Sequence, residues 1–184
     1  DHLDDLAHGT AVYTARQEAG RGQYGRRWLS PPGVLTVSFV FDCAEAAVGT
    51  RLSLAAGLAV AHTVEDLVPG IAAGIKWPND CHCHDRKLAG ILCEARARGD
   101  RLRCVVGIGL NVAPEWRGDE AFDAPTHKPP IDLRTLGRID HRPLPILERL
   151  RDYLLEAVGL LRAGRWPALH AQLWDRDVLH GQAL

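Results

Sequence analysis

The sequence predicts an α+β fold, a mixed but largely antiparallel sheet with helices packed on one face. Three observations carry that reading. Apolar and polar residues alternate in strand-like runs, and two of these runs are joined by a turn short enough for a hairpin. Helical spacing is confined to one segment between the first two strands and two near the C-terminus, whereas a doubly wound parallel sheet would alternate strand and helix throughout. The chain has 184 residues, 46% of them hydrophobic, which suits a single domain with its own core.

The elements follow in order. Val34 to Phe41 alternates, with Leu35, Val37, Phe39 and Phe41 on one face and Thr36, Ser38 and Val40 on the other, as in a half-buried strand that starts after Pro31-Pro32-Gly33. From Leu52 to Val68, apolar residues at Leu54, Leu58, Ala61, Val64 and Val68 mark an amphipathic helix lying on the sheet, ended by Pro69-Gly70. Ile71 to Trp77 reads as a strand followed by a polar turn. Leu88 to Arg96 and Leu102 to Ile108 then form the hairpin, and Arg98-Gly99-Asp100 is read as its turn, not as an adhesion tripeptide. Ala113 to Arg142, with Pro114, Pro125, Pro129 and Pro130, is a long surface connection with at most a short helix near Leu133 to Gly137. Leu144, Leu147, Leu150, Leu154, Val158 and Leu161 define a helix that stops by Gly164, and Pro167 to Trp174 is a further short helix.

Charge and composition narrow the function classes. Lys and Arg number 22 against 23 Asp and Glu, a net charge of -1, so neither DNA nor an anionic membrane is an expected partner. No apolar run approaches the roughly 18 residues of a membrane span, and the acidic start Asp1-His2-Leu3-Asp4-Asp5 is unlike a signal peptide, so a cytoplasmic location is expected. Five unevenly spaced cysteines predict reduced thiols, and the absence of Met predicts a processed product or a fragment.

Three polar segments carry the chemistry. The first is Gln17-Glu18-Ala19-Gly20-Arg21-Gly22-Gln23-Tyr24-Gly25-Arg26-Arg27-Trp28, where glycines let a backbone close over a ligand and Arg forks match carboxylate or phosphate oxygens; a basic surface turn is the alternative. It fits neither a Walker loop nor a dinucleotide fingerprint. The second is Lys76-Trp77-Pro78-Asn79-Asp80 at a strand end, followed by Asp85-Arg86-Lys87-Leu88-Ala89-Gly90, in which a Lys opens an apolar strand and a Gly leaves room for a ligand; an Asn-Asp turn and a solvated Lys are the alternatives. The third is Gly107-Ile108-Gly109-Leu110-Asn111. Cys81-His82-Cys83-His84 is not expected to bind structural zinc, because cysteines and histidines would fall on opposite faces of a strand.

In this order and spacing, the three segments resemble the catalytic domain of the bacterial biotin protein ligases over almost the whole chain. That resemblance implies the biotin/lipoate ligase catalytic fold, related to class II aminoacyl-tRNA synthetases. It also implies an ATP-dependent ligase that converts biotin to biotinyl-5'-AMP and passes it to a lysine of a biotin carboxyl carrier protein. By the same resemblance Gln17, Gly20, Arg21, Gly22, Gln23, Lys87, Gly90, Gly107 and Gly109 contact biotin or the acyl phosphate. Arg26, Trp28, Lys76, Asn79, Asp80 and Asn111 hold ATP, with Asp80 on Mg²⁺, and the catalytic groups are Lys87, Arg21 and Arg26. The physical logic agrees, since fixed cations must screen a carboxylate brought against a phosphate.

Two departures accompany it: no Ser-Thr-Asn segment is present, so that part of the biotin site is expected upstream of Asp1, and Gln23 stands where relatives often carry a basic residue. Residues 1–176 are read as the catalytic domain and 177–184 as the start of a C-terminal SH3-like barrel, and repressor activity is not expected, since no helix-turn-helix is read within these residues. Homodimerisation through sheet edges stays open, as do two rival readings, a lipoate ligase or octanoyltransferase and a non-catalytic biotin-binding remnant.

Overall fold

A computed structural model of the chain describes residues 3–43, 46–98, 101–116 and 128–179. The Gly99-Asp100 turn, residues 117–127 of the long connection and residues 180–184 lie outside the described residues. Six strands form one sheet: β1 (Ala11–Thr14), β2 (Val34–Cys43), β3 (Gly74–Lys76), β4 (Asp80–Cys83), β5 (Arg86–Arg98) and β6 (Arg101–Asn111). Their spatial order is β1-β2-β6-β5-β4-β3, and every pairing between them is antiparallel. Four helices, α1 (Ala46–Leu67), α2 (Leu133–Leu136), α3 (Pro143–Arg162) and α4 (Trp166–Arg176), complete the α+β fold. Among the described residues no helix is long and apolar enough to cross a membrane.

β2 begins where expected. Val34 N donates to Pro31 O at 3.1 Å, and Gly33 takes φ 89°, a left-handed value that favours glycine. Leu35, Val37, Phe39 and Phe41 point into the core against Leu110, Ile108, Val106 and Cys104 of β6. The strand is not half-buried, however: Thr36 and Val40 on its other face are buried too, and Thr36 Oγ1 shares a 2.7 Å hydrogen bond with Ser30 Oγ from the preceding segment. The predicted strand over Ile71 to Trp77 shrinks to three residues, because its partner β4 offers only Asp80 to His82 for pairing. Instead, Ala73 N donates to Glu65 Oε1 of α1.

The largest correction concerns α1. An amphipathic helix would leave one side to water, yet Leu52, Ala55, Ala56, Leu58, Ala59, Val60, Ala61, Thr63 and Val64 are all buried, a near-continuous run. A helix apolar on most sides needs cover on most sides. The sheet supplies it on one flank and α3 on the other, through Ile146, Leu150, Leu154, Ala157, Val158 and Leu161. Leu144, predicted to start that stripe, is exposed, and Ile146, two residues on in the same opening turn, is the residue that enters the core.

After α4 the chain meets the β3 edge: Asp177 makes a parallel bridge to Ile75 and Val178 N donates to Ile75 O at 3.1 Å. Arg176 Nη2 pairs with Glu65 Oε2 at 2.9 Å and His62 Nε2 meets Gln172 Oε1 at 2.9 Å, which fixes α4 to α1.

All five cysteines are free. Burial pushes the Cys43 and Cys93 thiols up to about 12 and that of Cys83 to about 11, from an ordinary value near 9. Below pH 9 these thiols are protonated folded or unfolded, whereas above it only the unfolded chain ionises readily. Stability should therefore fall as pH rises from about 9 towards 11 to 12, beyond the loss shown by a variant with these cysteines replaced by Ala or Ser, as urea titrations across that range would show. In the same assay Leu52→Ala, at a fully buried α1 position outside the predicted stripe, should cost about 2 to 5 kcal/mol. Leu54→Ala, inside the predicted stripe but only partly buried, should cost markedly less.

Candidate active site

Period-two alternation leaves the sheet face opposite the helices to the odd partners of the core residues: Gly107 and Gly109 on β6, Gly90, Leu92 and Glu94 on β5, Asp80 and His82 on β4, and Lys76 on β3. Lys87 is three residues from Gly90 and would face the core in a regular strand. A bulge corrects this: Cys81 pairs with Ala89 and His82 with Lys87, so Leu88 is the extra residue and turns into the core while Lys87 joins the open face. Above this face lies a cavity of about 780 Å³. Of the residues predicted for the site, all line it except Gly20 and Asn111.

The Gly/Arg segment folds over the cavity as a small hairpin. Gly22 N donates to Arg26 O at 2.7 Å, Trp28 N to Gly20 O at 2.9 Å, and Arg21 bridges Arg27, with a 3-10 turn over Gln23–Gly25. Gly20 is a packing residue, not a wall of the cavity: a β-carbon there would run into the Trp28 carbonyl and come within 2.8 Å of Gln17 Oε1. Arg21 reaches Glu94 at 3.6 Å, an exposed pair of little energy, and Arg26 lies 5.9 Å from the Tyr24 ring. Trp28 lies flat on the glycine floor. Its indole fills the space a β-carbon on Gly109 would take and passes 3.0 Å from such an atom on Gly90, while its buried Nε1 has no hydrogen-bond partner.

Lys87 Nζ sits at the centre, 2.8 Å from Asp80 Oδ1 and 5.6 Å from the Trp28 ring centroid. Asp80 Oδ1 is buried and, beyond that ion pair, receives no hydrogen bond. Asn79 is both lining and staple: Nδ2 donates to Ile91 O at 3.0 Å and its own carbonyl accepts from Ile91 N at 2.8 Å, clamping the turn before β4 onto β5. Asn111 does not line the cavity. It is buried, and Nδ2 donates to Ile131 O at 3.1 Å, holding a strap over residues 128–132. Ile131 N donates to Lys87 O at 2.9 Å, and Arg86 Nε and Nη2 donate to Pro129 O and Pro130 O at 2.8 and 2.7 Å. Because Pro129 and Pro130 bring no N–H of their own, the Arg86 and Asn111 side chains join the Ile131 backbone bond in fixing that strap.

The strap carries Lys128 to the cavity, where it pairs with Asp85 at 3.3 Å. Neither Lys128 nor His82 was predicted for the site. His82 had a signal, two-residue spacing from Asp80 on a strand, whereas Lys128 is brought from the far side of a long connection. Burial holds the His82 imidazole below its ordinary pKa, with Lys76 and Lys87 adding to that effect and Asp80 opposing it. Cys81 and Cys83 point away into the core, as strand alternation requires. In a chain of net charge -1, the cavity gathers Arg21, Arg26, Arg27, Lys76, Lys87 and Lys128 against Asp80, Asp85 and Glu94. Such a surplus over a glycine floor suits an extended anion.

Gly109→Ala should drive the Trp28 indole off the floor. A red shift in tryptophan emission, absent when the same change is made in a Trp28→Phe background, would report it; identical spectra for Gly109→Ala and the parent would contradict the packing.

Comparison with known proteins places these motifs. Residues 1–111 match the family model described as the biotin/lipoate A/B protein ligase family. The bifunctional ligase/repressor BirA of Escherichia coli is 40% identical over 118 residues, covering 61% of this chain and 36% of its own length. The biotin--[acetyl-CoA-carboxylase] ligase of Paracoccus denitrificans is 35% identical over 165 residues, covering 87% of this chain and 64% of its own length. The chain thus spans less than two thirds of either relative. The structure of the Aquifex aeolicus biotin protein ligase in complex with biotin and ATP superposes with a TM-score of 0.77 at 26% identity, over 96% of this chain and 72% of that one. With the Gly/Arg segment, the Lys-Trp-Pro-Asn-Asp turn and the glycine floor all inside the matched residues, the chain belongs to the biotin/lipoate A/B protein ligase family.

Proposed function

We propose that this chain is the catalytic domain of a cytoplasmic biotin protein ligase, which activates biotin with ATP and transfers it to a lysine of a biotin carboxyl carrier protein. The observation that carries the reading is the cationic surplus over a glycine floor at the motif positions. In the first half-reaction a biotin carboxylate oxygen forms a bond to the α-phosphorus of ATP and pyrophosphate departs, leaving biotinyl-5'-AMP. Two anions must meet, and Lys87, Arg21 and Arg26 are the fixed charges available to screen them. Lys87 is held for this by the bulge, by its Asp80 partner and by the strap bond to its carbonyl. The glycine floor admits a flat ring system once the Trp28 side chain yields the surface or stacks on the ligand.

Among the described residues no group of three or more potential metal ligands occurs, and Asp80, paired through Oδ1 with Lys87 at 2.8 Å, is the cavity carboxylate that would hold Mg²⁺ beside the phosphates. When bound there, Mg²⁺ supplies charge neutralisation at the phosphates. In the second half-reaction the carrier's neutral lysine amine attacks the carbonyl of the mixed anhydride; the C–O bond breaks, AMP leaves and the amine loses a proton. The chain's part is to position the anhydride at the cavity mouth and limit water around it.

The decisive assay is ATP/pyrophosphate exchange that depends on biotin. The protein should catalyse it, and Lys87→Ala should lower its rate about 10² to 10³-fold. Exchange that ignores biotin, or equal rates with and without Lys87, would overturn the reading.

A further inference from the structure

Beside the main cavity lies an outer one of about 480 Å³, between the tip of the Gly/Arg hairpin and β5. All of its described wall residues but Gly25 and Cys93 also line the main cavity, so the two adjoin. Tyr24, Pro78 and Leu92 give it apolar wall, and Glu94 is the one carboxylate among its described lining residues. Glu94 stands on the open face of β5, two residues beyond Leu92 and four beyond the floor glycine Gly90. Its side chain is 55% exposed and can be reached from solvent. It is also the least engaged of the cavity carboxylates. Lys87 meets Asp80 at 2.8 Å and Lys128 meets Asp85 at 3.3 Å, whereas Arg21 stands 3.6 Å from Glu94, beyond hydrogen-bond reach.

Apolar walls around one carboxylate match a lysine side chain, an aliphatic stem with an ammonium head. The main cavity does not match it, because its surplus of Arg and Lys repels a cation. An acceptor amine must therefore be collected outside that field and enter it uncharged. We propose that the outer cavity is the entry for the acceptor lysine and that Glu94 selects it, binding the ammonium head while Tyr24, Pro78 and Leu92 pack on the stem. The assignment rests on the proposed function, which leaves this second substrate without a residue of its own. Arg21 links the two half-reactions: as it turns to the acyl phosphate it leaves Glu94 without its cation, open to another. As the head moves inward, the surrounding cations disfavour its charged form and the proton passes to water. The neutral nitrogen then bonds to the anhydride carbonyl carbon, the C–O bond to AMP breaks, and the new amide nitrogen gives up a further proton to water.

The test is transfer from biotinyl-5'-AMP loaded on the whole chain, followed as AMP release, to two small acceptors. One is N-acetyl-lysine methylamide, a cation at neutral pH, and the other is hydroxylamine, which is uncharged there. Glu94→Gln should raise the concentration of the lysine probe that gives half-maximal rate about fivefold, as loss of an exposed ion pair does. Glu94→Lys should raise it about tenfold or more, since attraction becomes repulsion. Glu94→Asp, which keeps the charge, should stay near the parent, and the dependence on hydroxylamine should be the same in all four proteins. Glu94 is exposed, so its variants have no reason to misfold. An unchanged lysine dependence in Glu94→Gln and Glu94→Lys, an equal loss with hydroxylamine, or no transfer to the lysine probe by the parent would each overturn the entry. Biotin-dependent ATP/pyrophosphate exchange by the parent, run alongside, separates the two readings: with exchange present those outcomes remove the entry alone, and with exchange absent the ligase reading falls and the entry falls with it.

Discussion

The burial of α1 on two sides is the constraint on which the rest of the molecule depends. Its alanine-rich surface packs closely against the strands, and α3 seals the far side with Ile146, Leu150 and Leu154. The sheet is thereby held from behind, and its other face need not contribute large side chains to the core. That freedom is what allows Gly90, Gly107 and Gly109 to stand side by side in adjacent strands, where side chains would ordinarily be packing. Glycines weaken a strand interior; here the backing helix layer carries the stability that the glycine floor does not.

The cavity is built on that floor by devices that differ in kind. A bulge turns Lys87 outward, a side-chain staple from Asn79 holds the turn before Asp80, and a proline strap fixed by Arg86 and Asn111 closes the far end. Each acts on the backbone, so the charged side chains at the centre, Lys87 and its ion-pair partner Asp80, are positioned by rigid supports. Trp28 is the exception, a bulky side chain from a short hairpin lying directly on the floor with an unpartnered Nε1.

Much of this was legible in the residues. Alternation located the central strands, glycine and proline located the turns, and the Gly/Arg, Lys-Trp-Pro-Asn-Asp and Gly-Ile-Gly segments located nearly all of the cavity wall. The errors have a common cause. β1 and β4 are four residues each and too short for periodicity to mark. Leu144 has helical spacing but is exposed while Ile146 beside it is buried, and α1 reads as amphipathic because alanine gives little contrast between a buried and an exposed side. Gly20 and Asn111, from the same motifs, lie outside the cavity lining: one packs against the Trp28 carbonyl and the other bonds a strap at Ile131.

By itself, then, the sequence determined the fold class, the order of the main elements and the residue types that meet an anion, because those follow from local period and local chemistry. Tertiary structure alone decided which way Lys87 points, since strand alternation read along the chain puts it on the same face as Ala89 and only pairing with β4 introduces the bulge. It also decided that His82 and Lys128 line the same cavity as Lys76. Residues distant in the chain become neighbours through pairing and crossing of segments, and no local period encodes that.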